Sequence, residues 1–246
     1  MLGRTYLDHL KELLTTIEQT QSEAISRAAS VIADSINKGG TLHLFGTGHS
    51  HLLAEEAFYR AGGLVPVNAI LEPALMLHDG PFKATDMERL EGYAEIILDH
   101  SGIEEGDVLI VISNSGRNAV PVEMAVAGIA RGITVVALTS LAHSRSVPSR
   151  HSSGKRLYEV ADIVIDNCGV VGDAILSIGS SRTHICPTST VTGAAIINTL
   201  VAEVVERLVA LGAEPPVFVS ANLDGGDEYD RQWAAKFAKK RAICRG

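Results

Sequence analysis

Two short loops in this sequence carry hydroxyl groups and glycines at spacings that suit the binding of an anion. The first loop is Gly46-Thr47-Gly48-His49-Ser50, which follows an apolar run and precedes helix-compatible sequence. Free backbone N–H groups and the positive end of a helix dipole favour an anion at such a strand-to-helix turn. Gly46 and Gly48 allow the backbone to turn sharply and to approach a ligand. We therefore expect the first loop to bind a phosphate, with Thr47 and Ser50 as hydroxyl donors.

Common nucleotide-binding loops do not match the first loop. A dinucleotide fingerprint requires a third glycine where this chain has His51, and a Walker loop requires a Lys-Ser or Lys-Thr pair that does not follow here. Taken alone, the loop is equally compatible with an ordinary turn of an α/β domain. His49 and His51 flank it, and each is expected to donate to the phosphate, to shuttle a proton or simply to pack at the start of the helix.

The second loop strengthens the phosphate interpretation. It is Ser113-Asn114-Ser115-Gly116-Arg117-Asn118, between the apolar run 108–112 and helical sequence that extends to residue 131. In a parallel sheet both loops lie at the carboxyl ends of their strands, where such folds bind ligands. A cluster of hydroxyls at 188–190 opens a long apolar helix and adds another helix N-terminus. Hydroxyl-rich loops that converge at this edge form a phosphate cradle that needs neither lysine nor a metal.

The composition argues against several other classes of protein. Hydrophobic residues make up 46% of the 246 residues and aromatic residues only 4%, which favours a core of Val, Ile, Leu and Ala, as in parallel sheets buried on both faces. The formal net charge of −8 argues against a nucleic-acid partner. No apolar run approaches the length that spans a membrane, and the three cysteines lack the spacing of metal ligands. We therefore expect a cytoplasmic protein without a nucleic-acid or membrane partner.

Helical and strand-like segments alternate along the chain, as an α/β fold requires. Helices are predicted over 4–37, after each of the two loops, from Asp86 to about 101, over 189–211 and over 227–241, and strands near 41–45, 64–67, 108–112, 133–138 and 161–166, with a short strand or edge hairpin at 174–178. Residues 72–85 are predicted to form an irregular excursion near the rim of the pocket. Residues 139–156, rich in Ser, His and Arg, are predicted to form a solvated loop or, alternatively, a lid that supplies positive charge.

Together, these motifs resemble those of the SIS (sugar isomerase) domain family over about residues 30–210. The most specific part is the Ser-x-Ser-Gly loop that follows a Gly-Asp-Val-Leu-Ile strand, and the layout is similar to that of single-domain bacterial members such as phosphoheptose isomerase. The resemblance implies a flavodoxin-like α/β fold, a three-layer sandwich around a central parallel sheet. It implies that residues 1–246 form one SIS domain, with a helical extension at about 1–38 and a tail at about 215–246.

The resemblance also implies roles for individual residues. The family's phosphate ligands correspond to residues of the two glycine-containing loops: Thr47, Ser50, Ser113, Asn114 and Ser115. Asn118 stands where the family usually has Ser or Thr. Ser189 and Thr190 match positions that approach the sugar. Catalytic roles fall on Glu55 and Glu56, one turn nearer the serine than in phosphoheptose isomerase, and on His184. A glutamate moves a proton between C1 and C2 through an enediol, and the histidine opens the ring or shuttles a proton.

The first functional expectation is aldose–ketose isomerisation of a phosphorylated sugar, without metal, nucleotide or other cofactor. It requires a base of near-neutral pKa within reach of the C2 proton. Two alternatives stay open: lyase or etherase action on an amino-sugar phosphate, and a non-catalytic sugar-phosphate sensor. Glu55, Glu56 and His184 are each also compatible with an ordinary surface position, and Asp173 with either a sugar ligand or a turn. The family resemblance and the apolar faces of the first and the 189–211 helices predict a homodimer or homotetramer with shared sites.

Overall fold

Five parallel strands form the central sheet of the protein. The structure is a computed structural model and describes residues 1–179 and 183–237. The strands are β1 (Leu42–Gly46), β2 (Val67–Ile70), β3 (Val108–Ile112), β4 (Thr134–Thr139) and β5 (Ile163–Asp166). Their order is β2-β1-β3-β4-β5, and every neighbouring pair is parallel. This flavodoxin-like order places the topological switch point between β1 and β3, where such sheets bind ligands.

Helices cover both faces of this sheet. Within the described residues they are α1 (Leu2–Asn37), α2 (His51–Phe58), α3 (Pro81–Met87), α4 (Tyr93–Ser101), α5 (Ala119–Ala130), α6 (Leu141–Ser146), α7 (Ser189–Ala210) and α8 (Gly226–Phe237). One core cluster packs α1, α2 and α7 against the sheet, and a second packs α4 and α5 against its other face. The predicted α/β sandwich with a central parallel sheet is confirmed.

The alternation of side chains along β3 shows why the strands are uniformly apolar. Val108, Ile110 and Ile112 belong to the core under α7, whereas Leu109 and Val111 belong to the core under α5. Successive strand residues point to opposite faces, and both faces here are covered by helices, so every position of β3 is buried. The same constraint explains the low aromatic content, because β-branched and aliphatic side chains fill these narrow layers.

Helix α1 extends well beyond the sheet. Its 36 residues span about 54 Å at 1.5 Å per residue. From Ile25 onward one face of the helix is buried in the core, but Leu7 is 56% exposed and Leu14 38%. The predicted oligomer would cover this uncovered apolar stripe, and it stays a prediction. No helix in residues 1–179 and 183–237 is both long and apolar enough to cross a membrane.

Two predicted elements differ from the structure. The strand expected at 64–67 begins later and is β2. Leu64 forms a bridge to Val217 in the tail instead of pairing with β1. The ladder between β1 and β2 begins only after Pro66, whose carbonyl accepts from the N–H of Leu42. The single helix expected from Asp86 is instead α3 and α4. Gly92, with a φ of 84°, separates them, and a left-handed residue cannot continue a helix.

Other segments are more regular than the sequence indicates. The excursion at 72–85 contains two short 3-10 turns and the start of α3, and the segment at 139–156 contains α6. The short strand predicted at 174–178 is β6 (Ala174–Ser177), which pairs in antiparallel fashion with an unpredicted β7 (His184–Pro187). Helix α8 agrees with the predicted final helix as far as residue 237, and its predicted end at 241 lies outside the described residues.

Candidate functional site

A narrow cleft of about 10 Å³ opens at the carboxyl edge of the sheet. Three segments singled out in the sequence meet in it: the first loop through His49 and Ser50, the second loop through Asn114, and the start of α7 through Ser189 and Thr190. Its remaining walls are the apolar Leu53, Ile112 and Leu138 and the amide of Asn167. The two loops and the N-terminus of a 22-residue helix therefore converge at one point, as the phosphate-cradle hypothesis requires.

Steric constraints fix the shape of the first loop. A Cβ at Gly46 would lie 2.5 Å from the carbonyl carbon of Ser50, so a side chain there would collide with the loop backbone. Thr47 is buried, and its hydroxyl donates to Glu88 Oε1 at 2.6 Å. The ring of His51 is also buried and its Nδ1 contacts the Gly48 carbonyl, so His51 packs beneath the loop. Ser50 and the exposed His49 are the side chains that the first loop presents to the cleft.

The second loop is held by the segment that follows β4. The backbone N–H of Ser140 donates to Asn114, that of Arg150 to Arg117 and that of Leu157 to Gly116, at 3.1, 2.8 and 2.8 Å. Within the loop, Ser113 is buried, and its hydroxyl accepts from the N–H of Gly116 at 3.2 Å. The basic 139–156 segment thus forms a wall along the second loop, while most of its residues are exposed or partly exposed to solvent, as expected of a solvated segment. Because these hydrogen bonds already fix the second loop, a ligand that binds there pays little entropy to order it.

Asn167 is a site residue that the sequence analysis missed. Its side-chain N–H donates to Asn114 Oδ1 at 2.9 Å, while its own Oδ1 accepts from the N–H of Gly169 at 2.9 Å. This pair orients the Asn114 amide, whose N–H₂ group is the donor left for a ligand. The signal in the sequence was positional, because Asn167 directly follows the apolar strand β5, as the two predicted loops follow β1 and β3.

Asp173 caps the N-terminus of α7. Its carboxylate accepts from the N–H groups of Thr188 and Ser189 at 3.0 and 2.9 Å, and from their hydroxyls at 3.2 and 2.6 Å. These contacts favour the turn interpretation of Asp173 over that of a sugar ligand. They also occupy the Ser189 hydroxyl, so Thr190, which is exposed, is the more accessible of the two predicted α7 residues.

The three predicted catalytic residues lie outside the cleft formed by the described residues of one chain. Glu55 is on α2 with its side chain 46% exposed and its Oε1 at 3.8 Å from His51 Nε2. Glu56 pairs with Arg60 and accepts from Asn198 Nδ2 at 3.1 Å, which directs it toward the middle of α7. His184 is exposed at the start of β7.

His143 in α6 is a second residue that the sequence analysis did not single out. Its Nδ1 is buried and has no hydrogen-bond partner in the part of the chain that the structure describes. Burial lowers the pKa of His143, and the nearby Arg117 lowers it further, whereas Asp173 opposes this shift. The imidazole is therefore neutral at pH 7 and within electrostatic reach of the residue that caps α7. Its sequence context, the Ser- and His-rich stretch after β4, was the available signal.

Within residues 1–179 and 183–237, one group of side chains has the composition of a metal site. The ligand atoms of Glu91, Glu123 and His151 lie within 4.8 Å of one another, on the α5 side of the sheet. Both oxygens of Glu123 accept from the N–H of Gly92, at 2.9 and 2.8 Å, and Glu91 accepts from the N–H of Ser152 at 2.7 Å. These two carboxylates therefore have a structural role, because they hold the turn before α4 and the 139–156 segment in place. The three residues line no part of the cleft.

Comparison with known proteins adds an independent line of observation. The model of the SIS domain family matches residues 5–140. A UPF0309 protein of Halalkalibacterium halodurans is 45% identical over 236 residues, covering 96% of this chain and 94% of the relative. A phosphoheptose isomerase structure from Francisella tularensis superposes with a TM-score of 0.54 at 17% identity, covering 82% of this chain and 96% of the other. Vibrio vulnificus NanR complexed with ManNAc-6P superposes with a TM-score of 0.52 at 14% identity, covering 97% and 68%.

Proposed function

The chain belongs to the SIS domain family, and on that premise we propose that it binds a phosphorylated sugar in the cleft and catalyses its aldose–ketose isomerisation. The observation that carries the proposal is the convergence of the first loop, the second loop and the α7 N-terminus on one cleft. The fold shared with a phosphoheptose isomerase and with a protein complexed with a sugar phosphate supports the same choice of ligand.

The proposed phosphate ligands are the neutral donors of the converging segments. Ser50, Ser115 and Thr190 supply hydroxyls, and Asn114 supplies its amide N–H₂ group. A helix dipole and directed N–H groups stabilise a phosphate without a formal positive charge. This arrangement suits a chain of net charge −8, in which the overall field does not attract an anion.

The proposed chemistry is a proton transfer between adjacent carbons. The Glu55 carboxylate takes the proton from C2 of the open-chain aldose phosphate, the C2–H electron pair forms the C1–C2 double bond of an enediol, and O1 takes a proton. The same carboxyl group then returns its proton to C1 while O2 loses its proton and becomes the carbonyl oxygen. We assign the O1 and O2 proton exchange to His184.

Because Glu55 and His184 are exposed and outside their own cleft, we propose that they complete the cleft of a second copy.

A non-catalytic sensor is the second candidate function. One specific observation favours it: among the described residues that line the cleft, none is an aspartate or glutamate. In this candidate function the cleft holds a sugar phosphate, and its described lining provides no carboxylate base for proton transfer. Amino-sugar phosphate lyase or etherase action uses the same first step, and differs in that the group on C3 leaves after C2 has lost its proton.

Thermal-shift screening of aldose and ketose phosphates against the matching unphosphorylated sugars is the first test. Any phosphate that stabilises the chain is then incubated in D₂O, and loss of the C2 proton signal is followed by NMR. We expect exchange that disappears in Glu55→Gln and persists in Glu56→Gln, because Arg60 and Asn198 hold Glu56 in a structural contact. Ser115→Ala is expected to weaken the stabilisation itself.

Each outcome separates the candidate functions. Exchange with formation of the isomeric sugar phosphate supports the isomerase, whereas exchange with release of a C3 substituent supports the lyase. Stabilisation without exchange supports the sensor and contradicts catalysis. If no sugar phosphate raises the melting temperature, the phosphate cradle itself is wrong.

A further inference from the structure

Three arginines gather on the α5 side of the second loop. The cleft lies on the opposite side, since its apolar walls Leu53, Ile112 and Leu138 belong to the core under α7. The arginines are Arg89, Arg117 and Arg150, named here the arginine cluster. Arg150 donates from its backbone N–H to the Arg117 carbonyl at 2.8 Å and from Nη1 to Asn118 Oδ1 at 3.0 Å. Arg89 adjoins them because the preceding residue, Glu88, accepts at its carbonyl from the N–H of Val120 at 3.1 Å.

The positive charges of this cluster are incompletely balanced. Arg117 is half-buried, and its Nε is buried without a hydrogen-bond partner among residues 1–179 and 183–237. Arg89 has a loose contact of 4.0 Å with Asp86, and both side chains are exposed to solvent. Burial and the charges of Arg117 and Arg89 lower the pKa of Arg150, while Glu88 opposes the shift. Among the described residues, the one opposing carboxylate that acts on Arg150 is that of Glu88, which also accepts from the Thr47 hydroxyl.

A half-buried guanidinium whose Nε has no partner in the described part of the chain points to an anion. Removing a charged group from water without pairing it is costly, and like charges held together add to that cost. Guanidinium groups match carboxylate and phosphate oxygens in a bidentate geometry. Arg150 and Arg89 are exposed, so an anion can reach the cluster from solvent. The cluster therefore has both the charge and the access that an anion site requires.

We propose that the arginine cluster binds a second anionic group of the substrate, so that the substrate class is a phosphorylated sugar that also carries a carboxylate or a second phosphate. This inference rests on the proposed function of the cleft. Asn114 in the cleft and Arg117 in the cluster are three residues apart, so their Cα atoms lie within about 11 Å of each other. An extended sugar phosphate has a comparable length, and in this proposal it lies across the rim of the second loop with one acidic group on each side. Asn118, where the family resemblance leads one to expect Ser or Thr, has the specific task of orienting Arg150.

Calorimetric titration of the full chain tests the inference. The probes are fructose 6-phosphate, fructose 1,6-bisphosphate and 6-phosphogluconate, which carry a phosphate alone, a second phosphate and a carboxylate. We expect at least one of the two doubly acidic probes to bind about tenfold more tightly than fructose 6-phosphate, as a charge-assisted hydrogen bond provides. Comparison of the two identifies which acidic group the cluster prefers.

Arginine variants locate the effect. Arg150→Gln and Arg117→Gln are expected to remove the tenfold advantage and to leave fructose 6-phosphate binding unchanged. Arg145→Gln is the matched control, because Arg145 lies in the same segment but sits over the Tyr158 ring at 5.7 Å and outside the cluster. Melting curves establish that each variant folds; if Arg117→Gln does not, Arg150→Gln, whose side chain is exposed, decides the question.

The outcomes separate this inference from the proposed function. Equal binding of all three probes to the wild type overturns the arginine site and leaves the phosphate cradle in place. Loss of all binding by Arg150→Gln, including that of fructose 6-phosphate, also overturns it, because the arginine then serves the phosphate itself or the shape of the loop. Failure of the wild type to bind any of the three probes overturns the arginine site, and the thermal-shift screen of other sugar phosphates then decides whether the phosphate cradle is also wrong.

Discussion

Replacement of Asp173 is predicted to weaken the fold and to strengthen anion binding. The Asp173 carboxylate accepts four hydrogen bonds from Thr188 and Ser189, at distances from 2.6 to 3.2 Å. It therefore caps a 22-residue helix whose first residues line the cleft. The same carboxylate sets a negative charge at the helix end that attracts a phosphate. Removal of this carboxylate should consequently decrease the stability of the fold and increase the affinity for an anion.

The loss of stability can be derived from these contacts. Removal of a helix N-cap side chain costs about 1 kcal/mol, and removal of a negative charge from a helix N-terminus costs about 0.3–1 kcal/mol. Asp173 is half-buried and its hydrogen bonds are charge-assisted, so Asp173→Ala should lower the free energy of unfolding by about 2 kcal/mol. In a chain of this size that corresponds to a decrease in Tm of about 4–8 °C. Asp173→Asn keeps an acceptor oxygen and should lose about half as much.

The gain in affinity is an electrostatic effect. Removal of one negative charge at a few ångströms from a bound anion, in a partly hydrated site, is worth about 1 kcal/mol, or about fivefold in affinity. Differential scanning calorimetry measures the loss of stability, and titration with the best sugar phosphate at low salt measures the gain. A Tm that does not change would show that the carboxylate is not a cap. Weaker binding by a folded Asp173→Asn would refute the reasoning, because Asp173 would then bind the sugar directly.

The remaining predictions concern a buried network, the first loop and the oligomeric state. Burial raises the pKa of Asp107, but hydrogen bonds from His43 and from two backbone N–H groups outweigh it and hold that pKa below its usual value. The stabilisation by Asp107 is therefore fully present above about pH 4 and is lost as the pH falls through the pKa of the folded state. The urea midpoint of the wild type should accordingly decline below about pH 4, and that of Asp107→Asn should decline much less. Gly46→Ala should reduce sugar-phosphate affinity roughly tenfold with unchanged far-UV circular dichroism, because the new Cβ displaces the backbone of Ser50; unchanged affinity would exclude the first loop from the site. Sedimentation velocity at micromolar concentration should show a dimer or tetramer that Leu7→Glu shifts toward monomer, whereas a monomeric wild type would contradict shared sites.

The sheet and its two loops were predictable because each depends on local sequence. Strands such as β3 are buried on both faces, which forces an uninterrupted apolar run, and each loop begins where that run ends. Their convergence then follows from the parallel arrangement alone. The helix boundary at Gly92 was missed because a glycine within an otherwise helical stretch does not reveal its φ, and only the packed chain fixes it in the left-handed region.

Contacts across the fold were not predictable in the same way. Glu88 meets Thr47 across 41 residues, and Asp173 meets Thr188 across 15, so no local pattern joins either pair. Strand β7 was missed for a related reason. Its residues, His184–Pro187, form no apolar run, and they become a strand by pairing with β6.

Under the two proposals above, the distribution of charge around the second loop determines which ligands the site selects. The chain carries 29 acidic and 21 basic residues, so a general attraction for anions is absent and any anion must be held locally. Neutral donors on the cleft side and guanidinium groups on the α5 side meet this need by different means. In the proposed site the neutral donors contact the phosphate, whereas an added charge at the arginines must compete with Glu88, which acts on Arg150. The two proposals together predict that a full ligand is phosphorylated and acidic elsewhere, and that simple sugars and inorganic phosphate bind more weakly.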